Sequence, residues 1–293
     1  MSGSADDGVV PTQTFLTGIE LVGQINIDND ALLAQVTSAI RRGLPQVWRV
    51  AGLRPERVCI VGGGPSLEAT FPELRALYFA GAKVIALNGA FAWLLARNIR
   101  PSAHIILDGR EANAAFLTEC VPQCRTFLAS QCHPAVFDKA EALGLDVAVF
   151  HDGADTDANA LLDAYYLGHW QSVSGGTTVG SRAIGLARAL GYLRFDLFGI
   201  DSCWMPGPDG LAHHAFPQAQ NAAEARLTLT IDPQDGSPPR EFLVAPWHLK
   251  QLDDFLLFIA KSGDNFLLNV HGDGLLAYAL RARAGFTFAV TQE

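Results

Sequence analysis

The sequence predicts an α/β protein with a Rossmann-like, mainly parallel sheet, helices on both faces of the sheet, and a C-terminal hairpin and helix extension. From residue 57, short and nearly continuous apolar runs alternate with amphipathic stretches of helix length. Strands of a parallel sheet have this pattern because helices cover both faces of the sheet. The alternation ends after residue 201, so the extension is expected to begin at about residue 203.

The first half of the chain predicts one leading helix and then strands and helices in turn. The leading helix is expected over 31–40, with Asn29 or Asp30 as its N-cap and Gly43 at its end. Residues 58–61 form the first strand and run into three glycines. The elements expected next are a helix over 67–80, strand 84–87, helix 90–97, strand 104–107, helix 112–120, strands 126–129 and 147–150, helix 178–190 and strand 195–199.

The second half predicts a different organisation. Residues 202–225 are rich in glycine, proline, histidine and glutamine, which is typical of a long functional loop. Segments 227–231 and 241–244 predict a hairpin on the sheet edge, followed by a helix over 247–262, a strand over 265–270 and a helix over 274–283. The expected division is an N-terminal segment with the leading helix, 1–50, and a single Rossmann-like nucleotide-binding domain, 51–293.

Composition restricts the classes of partner. The chain has 293 residues and a formal net charge of −9, from 21 basic and 30 acidic residues. This charge argues against nucleic-acid binding, which needs a basic surface. The N-terminus lacks a signal-peptide pattern, and no apolar run reaches the roughly 18 residues of a membrane span. We therefore expect a cytoplasmic protein with a small phosphorylated ligand, and a homodimer is the default assembly.

The glycine turn after the first predicted strand is the most informative motif. It comprises Gly62, Gly63, Gly64, Pro65 and Ser66, directly before a predicted helix. Glycines let backbone N–H groups approach a phosphate, and a helix N-terminus favours negative charge. The turn has neither the spacing of a dinucleotide fingerprint nor the lysine of a Walker A loop. The alternative interpretation is a tight strand-to-helix turn that binds no ligand.

A second glycine turn, at Gly175, Gly176, Thr177 and Thr178, opens another predicted helix. Together the two helix N-termini would suit a diphosphate or the two ends of a nucleotide. The alternative is an N-cap with close helix–sheet packing.

Polar residues follow several other predicted strands. In open parallel sheets, ligands bind outside the carboxyl ends of the strands. Asn88, Asp108 and Asp201 occupy such positions, where carboxylates can hold Mg²⁺ or ribose hydroxyls. Capping of the next helix is the competing explanation.

Two adjacent histidines, His213 and His214, lie in the predicted long loop. Histidine titrates near neutral pH and can remove a proton from an attacking hydroxyl. We predict catalytic roles for His213 or His214, as the base, and for Asp201; the alternative is that both histidines are structural.

Several short motifs, in a fixed order along the chain, carry a resemblance to a known family. They are Ile60–Leu67, which looks like the signature G-x-G-P-S-L, then Asn88, Ile99-Arg100-Pro101 ahead of Asp108, Ser174–Thr177, and Leu197–Asp201. Over about residues 57–202 the set resembles the domain-of-unknown-function family of the motility accessory factor flagellin glycosyltransferases. The archaeal 6-hydroxymethylpterin pyrophosphokinases (MptE-like) share that domain, and sialyltransferases that use CMP-sugars are more distantly similar.

The resemblance implies a nucleotide in the crevice, with Gly62–Ser66 near its phosphates and Asn88 and Asp108 nearby. The first hypothesis is a glycosyltransferase-like enzyme that uses a nucleotide-activated, sialic-acid-like sugar. The second is a pyrophosphokinase for a hydroxymethylpterin-like substrate, in which Asp108 and Asp201 hold Mg²⁺ on ATP. The third is a non-catalytic nucleotide sensor. The expected bound group is thus a nucleotide or nucleotide-sugar, with Mg²⁺ only in the second case.

Overall fold

The structure is a computed structural model that describes residues 27–207, 210–212, 214–215, 225–234, 236–262, 266–282 and 286–292. Its centre is a parallel sheet of seven strands, and most of the polar side chains considered below lie at the carboxyl edge of that sheet. The strands are β1 (Arg54–Val61), β2 (Lys83–Leu87), β3 (Ala103–Ile106), β4 (Arg125–Ala129), β5 (Asp146–Phe150), β6 (Tyr192–Phe198) and β11 (Leu267–Val270).

Helices pack on both faces of this sheet, as predicted. They are α1 (Asn29–Ile40), α2 (Leu67–Phe79), α3 (Ala90–Leu95), α4 (Pro134–Ala142), α5 (Thr156–Tyr166), α6 (Val179–Ala189), α7 (Pro246–Ser262) and α8 (Leu275–Arg281). Successive residues of β1 face opposite helices. Ile60 lies in the core that contains Leu186 of α6, whereas Val61 lies in the core that contains Leu74 of α2 and Phe91 of α3. Both residues are fully buried, which explains the continuous apolar run in the sequence.

The strand order reverses next to β1. The sheet runs β11-β6-β1-β2-β3-β4-β5, so the chain first builds outward from β1 to β5 and then returns to the other side of β1. The point of reversal therefore lies between β1 and β6. Parallel sheets bind ligands in the crevice at such a switch point.

The C-terminal extension forms its own small sheets, which corrects the prediction of a hairpin on the main sheet edge. Strands β9 (Leu227–Pro233), β10 (Arg240–Val244) and β12 (Phe286–Gln292) form an antiparallel sheet in the order β10-β9-β12. A second hairpin joins β7 (Met205–Gly207) and β8 (Gly210–Ala212). Leu229 and Val244 are fully buried in the main core. The β9–β10 hairpin therefore packs on the main core through these side chains and belongs to a sheet that is separate from the parallel one.

Several smaller differences have local causes. The leading helix starts at Asn29, capped by Asp28, whose carboxylate accepts the amide of Ala31. The predicted helix over 112–120 is a 3₁₀ helix, Glu111–Phe116. The helices α4 and α5 and the strand β12 are additional elements that the sequence pattern did not predict. Among the helices within the described residues, none is both long and apolar enough to cross a bilayer.

Candidate functional site

The first glycine turn lies at the switch point and is hydrogen-bonded to the end of β6. The amide of Gly62 donates to the carbonyl of Phe198 at 2.8 Å, and that of Gly64 to the carbonyl of Gly199 at 2.7 Å. The amide of Ser66 donates to Oδ2 of Asp201 at 2.9 Å. These three amides are therefore used inside the protein and cannot also hold a phosphate in this geometry.

Close packing explains why the turn needs glycines. A Cβ atom added to Gly64 would lie 2.3 Å from Oδ2 of Asp201 and 2.7 Å from the carbonyl oxygen of Gly199. One added to Gly62 would lie 2.5 Å from the same carbonyl oxygen. Asp201 is itself buried, with 4% of its surface exposed, and burial raises its pKa. Asp201 therefore fixes the turn through its hydrogen bond with the Ser66 amide.

One turn amide remains, together with the N-terminus of α2. Among the described residues, Gly63 donates no hydrogen bond from its amide, and Pro65 has no N–H to donate. The carbonyl of Gly63 accepts the amide of Ala215 at 2.8 Å. That bond places the backbone next to His214, whose side chain is half-buried, beside the glycine turn. His213 lies outside the described residues.

The second glycine turn is braced by α7. Oδ2 of Asp254 accepts the amide of Thr177 at 2.6 Å and its hydroxyl at 2.8 Å. Nε2 of Gln251 donates to the hydroxyl oxygen of Thr178 at 2.7 Å, and Thr178 also caps α6 together with Ser181. The polar groups of this turn are thus engaged with protein partners, which matches the N-cap interpretation of the sequence.

The glycines of the second turn are also tightly enclosed. A Cβ atom on Gly176 would lie 2.3 Å from Oδ2 of Asp254, and one on Gly175 would lie 2.7 Å from Cα of Arg182. The two turns nevertheless lie near each other, with the side chain of Ile200 between them. Cβ atoms added to Gly62 and Gly180 would be 3.1 and 3.4 Å from the Ile200 side chain.

Asn88 has an unusual backbone and an unused side-chain oxygen. Its φ is +46°, a left-handed conformation that asparagine tolerates better than most residues. Its carbonyl accepts Nε2–H of His104 at 2.9 Å, and burial lowers the pKa of His104 to about 4, so that ring stays neutral. Oδ1 of Asn88 is buried and has no hydrogen-bond partner among the described residues. Of the predicted site residues, Asn88 thus has an acceptor that a ligand could use.

Asp108 is paired with Arg110 in a bidentate ion pair. Nε of Arg110 lies 2.9 Å from Oδ2 of Asp108, and the Arg110 amide donates to Oδ1 at 2.9 Å. The strands β3 and β6 lie three positions apart in the sheet, which is about 14 Å at the usual strand spacing. Asp108 and Asp201 follow these two strands, so the sheet order speaks against one Mg²⁺ bound by both carboxylates.

Some polar residues at this edge were not singled out from the sequence. Arg182 of α6 is buried and donates to the carbonyl of Val173 at 2.6 Å and to that of Asp152 at 3.1 Å. Burial lowers the pKa of Arg182. Lys250 is also buried and lies 3.7 Å from Asp253. These residues are inside helices, where periodicity predicts a core face and not an ion pair, so no sequence signal marked them.

The segment after β11 could have been found from the sequence. His271 and Gly272 follow the strand, and a Cβ atom on Gly272 would lie 2.6 Å from the hydroxyl oxygen of Ser66. Applying the carboxyl-end rule to the last strand as well as the first six would have placed this segment in the crevice.

The arrangement provides an anion-favouring region with one histidine beside it. The amide of Gly63, which has no acceptor in the part of the chain that the structure describes, and the N-terminus of the 13-residue α2 lie at the switch point. Helix N-termini attract negative charge, and the amide of Ala215, the residue after His214, donates to the carbonyl of Gly63 in the turn.

One solved structure of another protein agrees with the fold. The MAf glycosyltransferase from Magnetospirillum magneticum AMB-1 superposes with a TM-score of 0.58 at 17% identity, over 88% of this chain and 42% of that chain. This chain therefore spans about two fifths of the length of that protein. A mammalian sialyltransferase in complex with Gal-beta-1-3GalNAc-ortho-nitrophenol has a TM-score of 0.37 at 13% identity, over 68% of this chain and 80% of that chain. No curated protein matches the sequence.

A family model supplies the remaining comparison. The model described as 6-hydroxymethylpterin diphosphokinase MptE-like matches residues 36–207, which is more than half of the chain. The matched range contains both glycine turns, Asn88, Asp108 and Asp201, as the resemblance had indicated. The chain therefore belongs to the 6-hydroxymethylpterin diphosphokinase MptE-like family.

Proposed function

We propose that this protein is a transferase that binds the phosphate of a nucleotide-activated sugar at the switch point between β1 and β6. One observation carries the proposal. The strand order reverses where the free amide of Gly63, the start of α2 and His214 meet. The fold that the chain shares with a glycosyltransferase is compatible with this proposal.

The proposed reaction needs one bond made and one broken. The acceptor hydroxyl oxygen forms a bond to the sugar carbon, and the bond from that carbon to the nucleotide phosphate oxygen breaks. Negative charge then develops on the leaving phosphate, where the Gly63 amide and the α2 N-terminus stabilise it. His214, or His213 beside it, accepts the proton of the acceptor hydroxyl.

A diphosphokinase is the second candidate because the family is named for one. Such an enzyme transfers a diphosphate from ATP with Mg²⁺, which neutralises charge on the phosphates. Asp108 and Asp201 follow strands that lie three positions apart in the sheet, an order that does not favour one ion shared by both carboxylates. Asp108, whose side chain is 18% exposed, would be the carboxylate that contacts Mg²⁺ already bound to ATP.

A thermal-shift screen separates these candidates. The purified chain is heated with CMP, CDP, UDP, GDP, ADP or ATP, each with Mg²⁺ and with EDTA. A ligand at about 100 times its Kd adds about 2.7 kcal/mol, a shift of several degrees. We expect stabilisation by CMP or CDP that EDTA does not remove. Stabilisation by ATP only with Mg²⁺ would replace the sugar-transferase proposal with the diphosphokinase. No shift with any nucleotide would leave the glycine turn without a ligand.

The double variant His213→Ala/His214→Ala tests catalysis against simple binding. We expect it to retain the nucleotide-induced shift and to lose turnover of the CMP-sugar donor. His169→Ala is the matched control, since His169 is exposed and belongs to neither glycine turn. Unchanged turnover in the double variant would refute the base role, and a wild-type protein that binds nucleotide without any turnover would be a sensor.

A further inference from the structure

One histidine outside the glycine turns is held between two carboxylates. Nδ1 of His271 lies 2.6 Å from Oε2 of Glu73 in α2, and Nε2 lies 2.9 Å from Oδ1 of Asp196 in β6. The imidazole ring stacks on Phe198 at 4.1 Å between ring centroids. A carboxylate can only accept hydrogen bonds, so both ring nitrogens must donate. This geometry is that of an imidazolium cation.

The two carboxylates differ in their surroundings. Asp196 is fully buried and accepts two hydrogen bonds from Arg57 of β1, both at 2.9 Å, and one from Asn269 of β11 at 3.2 Å. Burial raises the pKa of Asp196, but the hydrogen bonds from His271, Arg57 and Asn269 outweigh it and hold the pKa below its ordinary value. The side chain of Glu73, in contrast, is 62% exposed. Asp196 is therefore fixed, whereas Glu73 can turn into water.

The other charged groups near this segment have partners of their own. Asp273, two residues along, is bound by Arg240 at 2.7 Å and by Arg281 of α8 at 3.1 Å. Nη1 of Arg281 also donates to the carbonyl of Gly272 at 3.0 Å. Among the described residues, Glu73 and Asp196 are thus the charged groups in direct contact with the imidazole of His271.

The segment of His271 reaches the ligand edge through its neighbour. The amide of His271 donates to the carbonyl of Leu197 at 2.9 Å, which extends the pairing of β11 with β6. Gly272 has a φ of +102° and lies so close to Ser66 that a Cβ atom would be 2.6 Å from the serine hydroxyl oxygen. The chain after β11 thus lies against Ser66, the N-cap of α2. Through His271 it is also hydrogen-bonded to Glu73, which follows Ser66 by seven residues.

We propose that His271 is a positioning residue for the ligand site: its imidazolium ties α2 to the edge of β6 and β11, and loss of its proton releases α2 and weakens ligand binding. The contacts of His271 with Glu73 and Asp196 support its role in holding α2. Its effect on ligand binding rests on the proposed function.

The number of protons on the His271 imidazole determines how its contacts change with pH. Neutral imidazole has one N–H, which stays on Nε2 because the buried Asp196 cannot replace a lost hydrogen bond with water, whereas the exposed Glu73 can. Burial lowers the pKa of His271, but its hydrogen bonds to Asp196 and Glu73 outweigh this and raise the pKa above the ordinary 6.5. A raised folded pKa means that the contribution is complete below about pH 6.5 and is lost as the pH rises through the folded value.

Glu73→Gln is the informative variant. The glutamine carbonyl can accept from the imidazolium, and its amide can donate to Nδ1 of the neutral ring. The hydrogen bond between residue 73 and His271 should then persist whether the imidazole is charged or neutral. Amide hydrogen exchange of α2 is compared between wild type and variant at the same pH, at about pH 7 and about pH 9. We expect similar exchange at pH 7 and about three- to tenfold faster exchange in the wild type at pH 9.

Two further variants serve as controls. Glu73→Ala removes the tie at every pH, so α2 should exchange fast at both pH values. His169→Gln removes an exposed histidine elsewhere and should keep the wild-type pH dependence. If the ratio of exchange rates between wild type and Glu73→Gln is the same at both pH values, His271 does not act through its proton and the proposal is overturned.

Calorimetry with CDP tests the second half at the same two pH values, where the phosphate charge of CDP is nearly constant. We expect wild-type affinity to fall about three- to tenfold from pH 7 to pH 9, and Glu73→Gln affinity to fall less than about twofold. Equal losses in both proteins would refute the link to the ligand site. If CDP binds neither protein at either pH, the proposed function fails with this ligand, while the exchange data still decide the role of His271.

Discussion

Replacing Gly64 by alanine should be one of the most damaging single-methyl changes at the switch point. The added Cβ would lie 2.3 Å from Oδ2 of Asp201 and 2.7 Å from the carbonyl oxygen of Gly199. Gly64 is not among the residues with positive φ, so the damage comes from the contact and not from backbone strain. The turn can relieve the contact only by moving away from the end of β6.

The size of the effect follows from the bonds that this movement breaks. The Gly64 amide loses its 2.7 Å bond to the Gly199 carbonyl, worth about 0.5–1.5 kcal/mol. The Ser66 amide loses its 2.9 Å bond to the Asp201 carboxylate, worth about 1.5–3 kcal/mol. The lower entropy of the unfolded alanine chain returns about 0.4–1 kcal/mol. The net loss in free energy of unfolding is about 1–4 kcal/mol, or about 2–8 °C in Tm.

Gly52→Ala is the matched control for this measurement. A Cβ atom on Gly52 would meet nothing within 4 Å, so the same methyl group should be neutral or should stabilise by about 0.4–1 kcal/mol. Urea unfolding followed by circular dichroism gives both free energies. If Gly64→Ala and Gly52→Ala agree within about 0.5 kcal/mol, the turn is not held against β6 as described, and the reasoning fails.

Two further predictions concern buried charge. His151→Phe should improve stability in acid, because burial lowers the pKa of His151 to about 4 and the folded protein loses stability as the pH falls from about 6.5 towards 4. The maximum gain is about 3 kcal/mol, and an unchanged pH dependence of urea unfolding would refute it. Lys250→Met should cost about 3 kcal/mol because it leaves the carboxylates of Asp253 and Asp254 without this cation. The exposed Lys261→Met is its control, and equal unfolding midpoints would contradict the prediction.

The strands and their order of appearance were predictable because each is a short apolar run with a polar or glycine boundary. The six strands expected from 58–61 to 195–199 all occur, and so does the one after residue 265. The helix α6 was also predicted, since its Gly-Thr-Thr start and glycine stop are local signals. The helices α4 and α5 were missed.

The candidate site was predicted as a location more successfully than as a set of roles. The carboxyl-end rule placed Gly62–Ser66, Asn88 and Asp201 at one edge, and the structure has them there. Their hydrogen bonds were not predictable. The amides of Gly62, Gly64 and Ser66 turn towards β6, and the hydroxyls of Thr177 and Thr178 turn towards α7.

Local pattern in the chain was enough for the class of fold, for the sheet edge at which the glycine turn and the polar strand ends lie, and for the need for glycine at the turn, because each depends on neighbouring residues or on a general rule for parallel strands. The three-dimensional packing was needed to learn that Asp201 braces the turn, that Asp108 follows a strand three positions from β6 in the sheet, and that His271 joins Glu73 to Asp196. The contacts of Asp201 with Ser66, of His271 with Glu73 and of His271 with Asp196 join residues 135, 198 and 75 positions apart. No local sequence signal encodes such distances, because they result from the order in which the strands assemble.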